Sequence, residues 1–553
     1  MKKVILVLSL FLITVYIFAQ EPEWIWAQNA GGLYDDSGYD LATDSAGNSY
    51  VTGEFRNTAT FGSIELTSQG YVDVFIAKLD ANGNWLWAIC AEGTDSERGY
   101  GISIDSAGNS YIIGNFRGTA TFGTTSITST SIVYNDVFIA KADSDGNWLW
   151  ARRCGATWGN GIATDNDGTC YITGYFDIVS SGDFGTTTLT SLGNFDIFAA
   201  KLDTNGNWLW AVQAGGQDED YAWGISNDNS GNSYITGYFY TAVNSHICYF
   251  GDIELLSSSG YDIFVAKLDS NGNWLWAVNE GDDGHDYSYE ISTNSNGVSF
   301  IIGEHSLPSD IGGTSMTYSG TYVASISSSG NWLWAAETNG TAARYGQNVC
   351  SDDYGNCYAS GYFFGEANFG PYTLVGWNTT TDTFAAKLDS NGDWLWAVHT
   401  GGSSFDSGYG IAVDGIGHCY VTGDYLNTFN YGLYSLPSNG GWDIFVAKLG
   451  NDTSLENDII PAKMELSNYP NPFNPSTVIE FSIQNDSKVE LSIYNIKGQK
   501  IKTLAQNEFT KGSQSIIWNG DDKFGKPVSS GVYSYQLNVN GKTEAVRKCL
   551  LLK

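Results

Sequence analysis

The chain has 553 residues, with 66 glycines, nine prolines and 14% aromatics, and 60 acidic residues against 26 basic ones. It is too long for one ordinary domain, and this much glycine and aromatic side chain with so little proline points to many short strands joined by turns, an all-β chain. Residues 20–450 hold 49 Asp and Glu against 12 Lys and Arg; that argues against nucleic acid as a partner, because affinity for phosphate rests on cationic contacts, and describes a solvated, self-repelling surface.

Residues 1–19 lead with two lysines, run through an apolar stretch and reach Ala19 ahead of polar sequence, the layout of a cleaved secretory signal peptide. The competing reading is an uncleaved anchor, but the run is short for a spanning helix and no second one follows, so no integral membrane segment is expected after cleavage. Next comes WIWA at 24–27, the first copy of a motif that returns as WLWA at Trp85, Trp148, Trp208, Trp274, Trp332 and Trp394. The period of about sixty residues is that of long propeller blades. Within one period, GYGISIDSAGNSYIIGNF, a Thr/Gly-rich stretch and DVFIAKADSDGNWLWA resolve into four alternating runs, strands a to d. The a–b and c–d links are tight Asp-x-x-Gly-Asn or Asp-x-Asn-Gly-Asn turns, in which Asp caps the turn and Gly takes a positive φ. These turns resemble calcium loops but lack the full ligand series, so they read as hairpins.

Seven a–b–c sets begin near Gly38, Gly99, Gly159, Ala222, Ser288, Gly346 and Gly408, yet only six are followed by their own d strand. The seventh ends at WDIFVAKLG, residues 442–450, and WIWA at 24–27 is the missing piece. The expectation is a seven-bladed β-propeller over residues 20–450 whose last blade is closed by the N-terminal strand, which protects the terminal edges. The segments DSAGNSYVTGEF, TATFG, DVFIAKLD and NGNWLWA resemble the bacterial β-propeller repeat called the SBBP repeat across residues 24–450. The resemblance implies a propeller in an exported protein and carries no activity.

Strand direction puts the longer b–c and d–a connections on one face, where binding is expected. Five positions before the first apolar residue of strand a stand Asp36, Glu97, Thr157, Asp220, Asp286, Arg344 and Asp406; two before it stand Tyr39, Tyr100, Asn160, Trp223, Tyr289, Gln347 and Tyr409. Carboxylates beside aromatics suit sugars, whose hydroxyls take hydrogen bonds and whose C–H faces lie on rings; they also suit a hard cation such as calcium. The structural alternative is that Asp caps a turn and Tyr wedges between sheets. Trp158 and Arg344 interrupt the ring, Arg152 and Arg153 stand in an acid-rich domain, and the fifth repeat, residues 304–327, drops the DxFxAKL pattern.

Cys170, Cys357 and Cys419 occupy a position that is Ser49, Ser110, Ser233 or Ser299 elsewhere, so they read as small core residues; only Cys350 and Cys357 are candidate disulfide partners. The five histidines show no zinc-like spacing, so no transition-metal site and no cofactor other than calcium is expected. With no nucleophile triad or phosphate loop in view, the leading reading is a non-catalytic binding or adhesion propeller for glycan or a surface protein. The alternative is a polysaccharide-degrading enzyme using carboxylates on the long-loop face.

Four of the nine prolines lie between Pro461 and Pro475, marking 451–475 as a linker before a β-sandwich at 476–553, of immunoglobulin-like type. YPNPFNPST, VELSIYNIKGQKI and SSGVYSYQL closely resemble the C-terminal sorting domain of the type IX secretion system. That resemblance implies export through the periplasm to the outer surface or medium, with the secretion machinery as a partner. An ordinary binding module of the same fold is the alternative.

Overall fold

A computed structural model describes residues 22–450 and 466–552, apart from 132, 157, 179–181, 242–246, 258–259, 282–283, 308, 341–343, 378, 433, 470–472, 484–486, 496, 498, 510–511 and 540–541. The expected signal peptide and much of the expected linker lie outside the described residues. Two compact units divide between Thr453 and Ser454. Among the described residues every regular element is a strand, and no helix is long and apolar enough to cross a membrane.

In the first unit the four runs of each repeat become four antiparallel strands. In the first repeat strands a to d are Ser37–Thr43, Ser49–Phe55, Asp73–Leu79 and Trp85–Cys90, hydrogen-bonded in that order, and five later sheets repeat it. In the last sheet, Asp406–Val413, Cys419–Tyr431 and Tyr434–Leu449 take Trp24–Gly32 as their fourth strand. Trp26 pairs with Lys448 and Ala27 with Ala447, the register in which Trp87 pairs with Lys78 and Ala88 with Ala77. Strands b and c of the first repeat are buried at every position, as expected of strands covered on both faces by neighbouring sheets.

Each a strand touches the next. Asp40 accepts from Ile102 N at 2.9 Å, Ser103 and Thr164 hydroxyls lie 2.8 Å apart, and Thr43 Oγ1 donates to Val413 O at 3.1 Å, which links the first sheet to the last. The Trp-x-Trp motif works between sheets. The first ring packs on the b–c stretch of its own repeat, as when Trp85 meets Phe61 edge-on at 5.2 Å. The second reaches the next one: Trp87 Nε1 donates to Ser144 O at 3.0 Å, and its ring covers Gly146, which turns with φ +84° where no side chain would fit. Trp26 does the same to Ala81 O at 3.1 Å while meeting Tyr420 edge-on at 6.1 Å. Trp396 has no acceptor among the described residues, because the last sheet has no c–d turn to offer one.

The DxFxAKL lysine lies over the Tyr of strand b, as Lys78 over Tyr50 at 4.6 Å, a cation–π contact. In the fifth repeat the two partners change together, to Ser325 and Phe300, so the drift there is concerted. The tight turns are saturated: Asp80 Oδ1 accepts from Asn82 N and Asn84 N, both at 2.9 Å, and Oδ2 accepts from Asn84 Nδ2 at 2.9 Å. They hold themselves closed, as expected of hairpins. The Thr/Gly-rich b–c stretch adds a hairpin not anticipated from sequence, Thr58–Phe61 with Ile64–Thr67 in the first repeat, and it pairs with the end of the preceding sheet's last strand, Ala59 opposite Gly32. All eight cysteines are free. Cys350 faces Tyr358 and Cys357 faces Ser351 across the hairpin, and Cys170, Cys357 and Cys419 are fully buried.

The second unit packs a sheet of Leu466–Tyr469, Thr477–Ile483 and Gly512–Trp518 against one of Lys500–Phe509, Ser487–Asn495, Gly531–Val539 and Lys542–Leu551. Its core includes Phe473, Phe481, Leu491, Trp518 and Leu537. Strand Leu466–Tyr469 and the buried Phe473 belong to this sandwich, so it begins earlier than the expected boundary at 476: Phe473, between Pro472 and Pro475, is core, not tether.

Candidate functional site

The a strands start, and the b strands finish, at the end of the first unit that carries the long connections. Here the five carboxylates of the sequence ring are inside rather than on the rim: Asp36, Glu97, Asp220, Asp286 and Asp406 are all at most 1% exposed. Asp36 accepts from Gly32 N at 2.7 Å and Arg56 N at 2.8 Å; Asp220 and Asp406 accept from Gly216 N and Gly402 N at 2.7 and 2.6 Å. Asp36, Asp220 and Asp406 thus cap their own d–a loops, and acids of the ring face the Asp that opens strand c of the preceding sheet, so that Glu97 meets Asp73, Asp220 meets Asp196 and Asp36 meets Asp443. Burial is the main cause that pushes these acids up, to about 7 at Asp36 and Asp220, about 8 at Asp406 and about 9 at Glu97. Arg344, at the same position in the sixth repeat, is 4% exposed and donates to Ser319 O at 2.6 Å. Sequence shows that an acid recurs there; that it lies inside, against an acid of strand c, is seen only in the structure.

The aromatic set is half-buried and forms one run. Tyr409 lies 5.9 Å from Tyr39, Tyr39 lies 5.5 Å from Tyr100, and Tyr100 lies 5.8 Å from Trp158, centre to centre. Trp158, read as an interruption, therefore continues the arc. The run goes on through Tyr175, Tyr221 and Tyr238 to Trp223 and Tyr289, with neighbours 4.8 to 6.3 Å apart, and in the other direction through Tyr362 to Tyr345 at 6.4 and 5.0 Å. Three of these rings, Tyr175, Tyr238 and Tyr362, come from a position the sequence reading missed, the residue after the glycine of strand b, which reads Glu54, Asn115, Tyr175, Tyr238, Glu304, Tyr362 and Asp424 along the chain. The signal was present, since this is the freely changing residue inside an otherwise constant strand.

The acids at that same position sit among the rings. Glu54 is ion-paired with Arg98, and Asp424 accepts from Ser37 Oγ at 2.8 Å. Burial lifts Asp424 to about 7, with Glu54 adding to the rise, and lifts Glu304 to about 7. Below the arc the a strands line a cavity of about 360 Å³. Asp40, Glu290 and Asn348 project at a level that is glycine in the other four repeats, Gly101, Gly161, Gly224 and Gly410. Burial raises Asp40 to about 7 and Glu290 well above the carboxylate range. Arg152 and Arg153 serve structure: Arg152 donates to Gly206 O at 2.8 Å, and Arg153 pairs with Asp136 at 2.8 Å. Among the described residues no three His, Cys, Asp or Glu side chains converge as a metal-ligand set.

The family described as a beta-propeller repeat matches residues 25–54, and the FlgD Ig-like domain family matches residues 475–543. By sequence the chain is similar to an uncharacterized WD repeat-containing protein, L264, of Acanthamoeba polyphaga mimivirus, 23% identical over 535 residues that take in 77% of this chain and 38% of that one. It is also similar to the regulatory protein FlaEY of Caulobacter vibrioides, 27% identical over 151 residues, or 25% of this chain and 14% of that one. The chain thus spans well under half the length of these relatives. Among solved structures it is similar to the Dos1 propeller, at 10% identity and TM-score 0.35 over 78% of this chain and 96% of that one. It is also similar to PorZ, a surface component of the type IX secretion system of Porphyromonas gingivalis, at 10% identity and TM-score 0.18 over 95% and 100%. The chain is all-β, with a propeller-like first unit built on β-propeller repeats and an Ig-like second unit.

Proposed function

We propose that this is an exported, non-catalytic binding propeller of seven blades, closed by residues 24–27, that holds extracellular glycan or a surface protein on its long-loop end. The observation that carries the binding reading is the aromatic arc with acids set among its rings, a surface that matches the C–H faces and hydroxyls of a saccharide. The closure reading draws on the Trp26 and Ala27 register with strand Tyr434–Leu449 and on the Thr43–Val413 hydrogen bond. The experiment is a glycan-binding screen of the purified chain beside its Tyr39→Ala and Tyr100→Ala variants. Binding that is lost in both supports the reading; equal binding by all three sinks it.

A second reading, a polysaccharide-degrading enzyme, is favoured by one observation: Asp424, held near neutrality, stands beside Glu54, which is a pairing suited to a proton donor and a carboxylate partner. Release of shortened sugars by the wild-type chain, lost in Asp424→Asn, would replace binding with catalysis. For the second unit we take the sorting-domain reading, in which the tail addresses the protein through the periplasm to the type IX machinery and on to the outer surface or medium. Removal of residues 462–553 should leave a folded first unit retained in the periplasm, and normal secretion of the shortened chain would contradict this.

A further inference from the structure

The seven junctions between successive sheets differ in charge in a regular way. Four of them bring two buried carboxylates together: Asp73 with Glu97, Asp196 with Asp220, Asp382 with Asp406, and Asp443 with Asp36. Asp262 and Asp286 occupy the same two positions at a fifth. At the remaining two junctions one or both acids are missing, and the chain supplies a cation of its own. Where the d–a position is threonine, Asp136 pairs with the Arg153 guanidinium at 2.8 Å. Where strand c opens with Gly320 instead of Asp, the Arg344 guanidinium lies over that glycine, within 2.8 Å of where its Cβ would stand. A guanidinium is therefore present at both of these junctions, whereas among the described residues the four pairs named first make no ion pair with Lys or Arg.

In each of the four pairs at least one buried oxygen is left without a donor. Asp196 Oδ2 accepts from Leu192 N at 2.6 Å and Asp220 Oδ2 from Gly216 N at 2.7 Å, while Asp196 Oδ1 is buried with no donor. Asp406 Oδ1, Asp443 Oδ1 and both Glu97 oxygens are buried without donors as well, on side chains that are wholly inaccessible. At Gly401 and Gly31, each with positive φ, the point where a Cβ would stand lies within 3.0 Å of one oxygen from each acid of the pair; two oxygens that close are within the span of one ion with metal–oxygen bonds of about 2.3–2.6 Å. Further acids add to the negative field, Asp95 beside Glu97, itself paired with Arg117, and Asp218 beside Asp220.

We propose that each two-acid junction takes up one divalent cation of the calcium type, bridged by the two carboxylates, in the place that Arg153 and Arg344 fill at the other two. Two carboxylates and one divalent ion are neutral, as are Asp136 and Arg153 together. The shell would be completed by main-chain carbonyls or water, the usual companions of carboxylates around a hard cation. Calcium abundant outside the cell would then lock the sheets to one another after export.

The test uses the full chain, stripped of metal and dialysed against calcium chloride, with bound metal counted by elemental analysis. The expected count is about five per chain, one for each two-acid junction, with a rise in melting temperature of more than about 5 °C. Asp220→Asn should lower the count by about one, whereas Asp136→Asn, at a guanidinium junction, should leave it unchanged. The wild-type count keeps the proposal open to refutation even if a variant misfolds. Fewer than one calcium per wild-type chain, or a melting temperature that follows pH and ignores calcium, would mean that the pairs hold a proton instead, and the proposal would fall.

Discussion

The two ends of each sheet are built from the same strands and obey different rules. At the tight-turn end every repeat closes on itself: Asp80 spends both oxygens on its own turn, and Trp87 ties the turn of the next sheet to its own. At the long-loop end the same strands finish in Tyr39, Tyr100, Trp158 and Tyr409, whose rings are half-buried, and in Glu54, Asp424 and Glu304, whose identities change from repeat to repeat. Repetition with saturated turn aspartates marks the end that holds the molecule together. Variation on a fixed frame marks the end free to acquire a ligand.

The largest expected effect breaks the structural end. Replacing Trp24 and Trp26 by Ala removes two rings, each worth roughly 3–5 kcal/mol when truncated in a core, and uncovers Gly83 and Tyr420. Cleavage by a protease should begin around residues 407–450, and Trp394→Ala with Trp396→Ala should act by a similar mechanism. Cutting confined to residues 20–37 with an unmoved melting temperature would show the strand to be dispensable.

Next comes pH. Asp36, Asp220, Asp406 and Glu97 are held more neutral in the fold than in the unfolded chain, so the folded state binds more protons. The stability they lend is complete below about pH 4 and is lost as pH rises through about 7 to 9. Metal-free protein should therefore melt at falling temperature from pH 5 to pH 9, checked by thermal scans in chelator; a flat or rising profile would contradict the burial of these acids.

A smaller effect sharpens the contrast from the other side. Tyr39→Ala and Tyr100→Ala remove rings that are only half-buried and should each cost about 1–2 kcal/mol, less than the tryptophans, while binding falls about tenfold or more. Smallest is a gain: Ser325→Lys combined with Phe300→Tyr restores to the fifth repeat the contact its neighbours have, worth about 0.5–1 kcal/mol in a denaturant titration. No gain from the pair would mean that the drift in this repeat has rebuilt its surroundings.

Strands a to d were legible because their alternation is strict and their turns carry Asp and Gly at fixed offsets. The b–c hairpin was not, because Thr58–Phe61 and its relatives are four residues long and owe their pairing to the preceding sheet's last strand, a partner that no local pattern announces. The candidate site divides likewise. Tyr39 and Tyr100 declared themselves by recurrence, whereas Tyr175 and Asp424 lay in a position that recurs only as a difference. The acid ring was visible in Asp36 and Asp220, but not its place inside the fold against Asp443 and Asp196, tens to hundreds of residues away, which the sequence shows only as members of a separate motif.

Gly450 N donates to Glu23 O at 2.8 Å, so the last c strand stops where the first strand of the unit starts. Loop entropy grows only with the logarithm of length, each doubling adding about 0.6 kcal/mol, so a partner more than four hundred positions away is a modest thermodynamic handicap. It is a severe kinetic one, since distant pairings form late. Six sheets can grow in a row as neighbours meet, and the seventh must wait with an open edge until Trp24–Gly32 is retrieved. A rearranged chain, in which Leu449 runs through an Asp-x-x-Gly-Asn turn straight into WIWA and the ends are opened at another turn, would convert the slowest contact of assembly into one of the fastest while leaving every hydrogen bond of the seam in place.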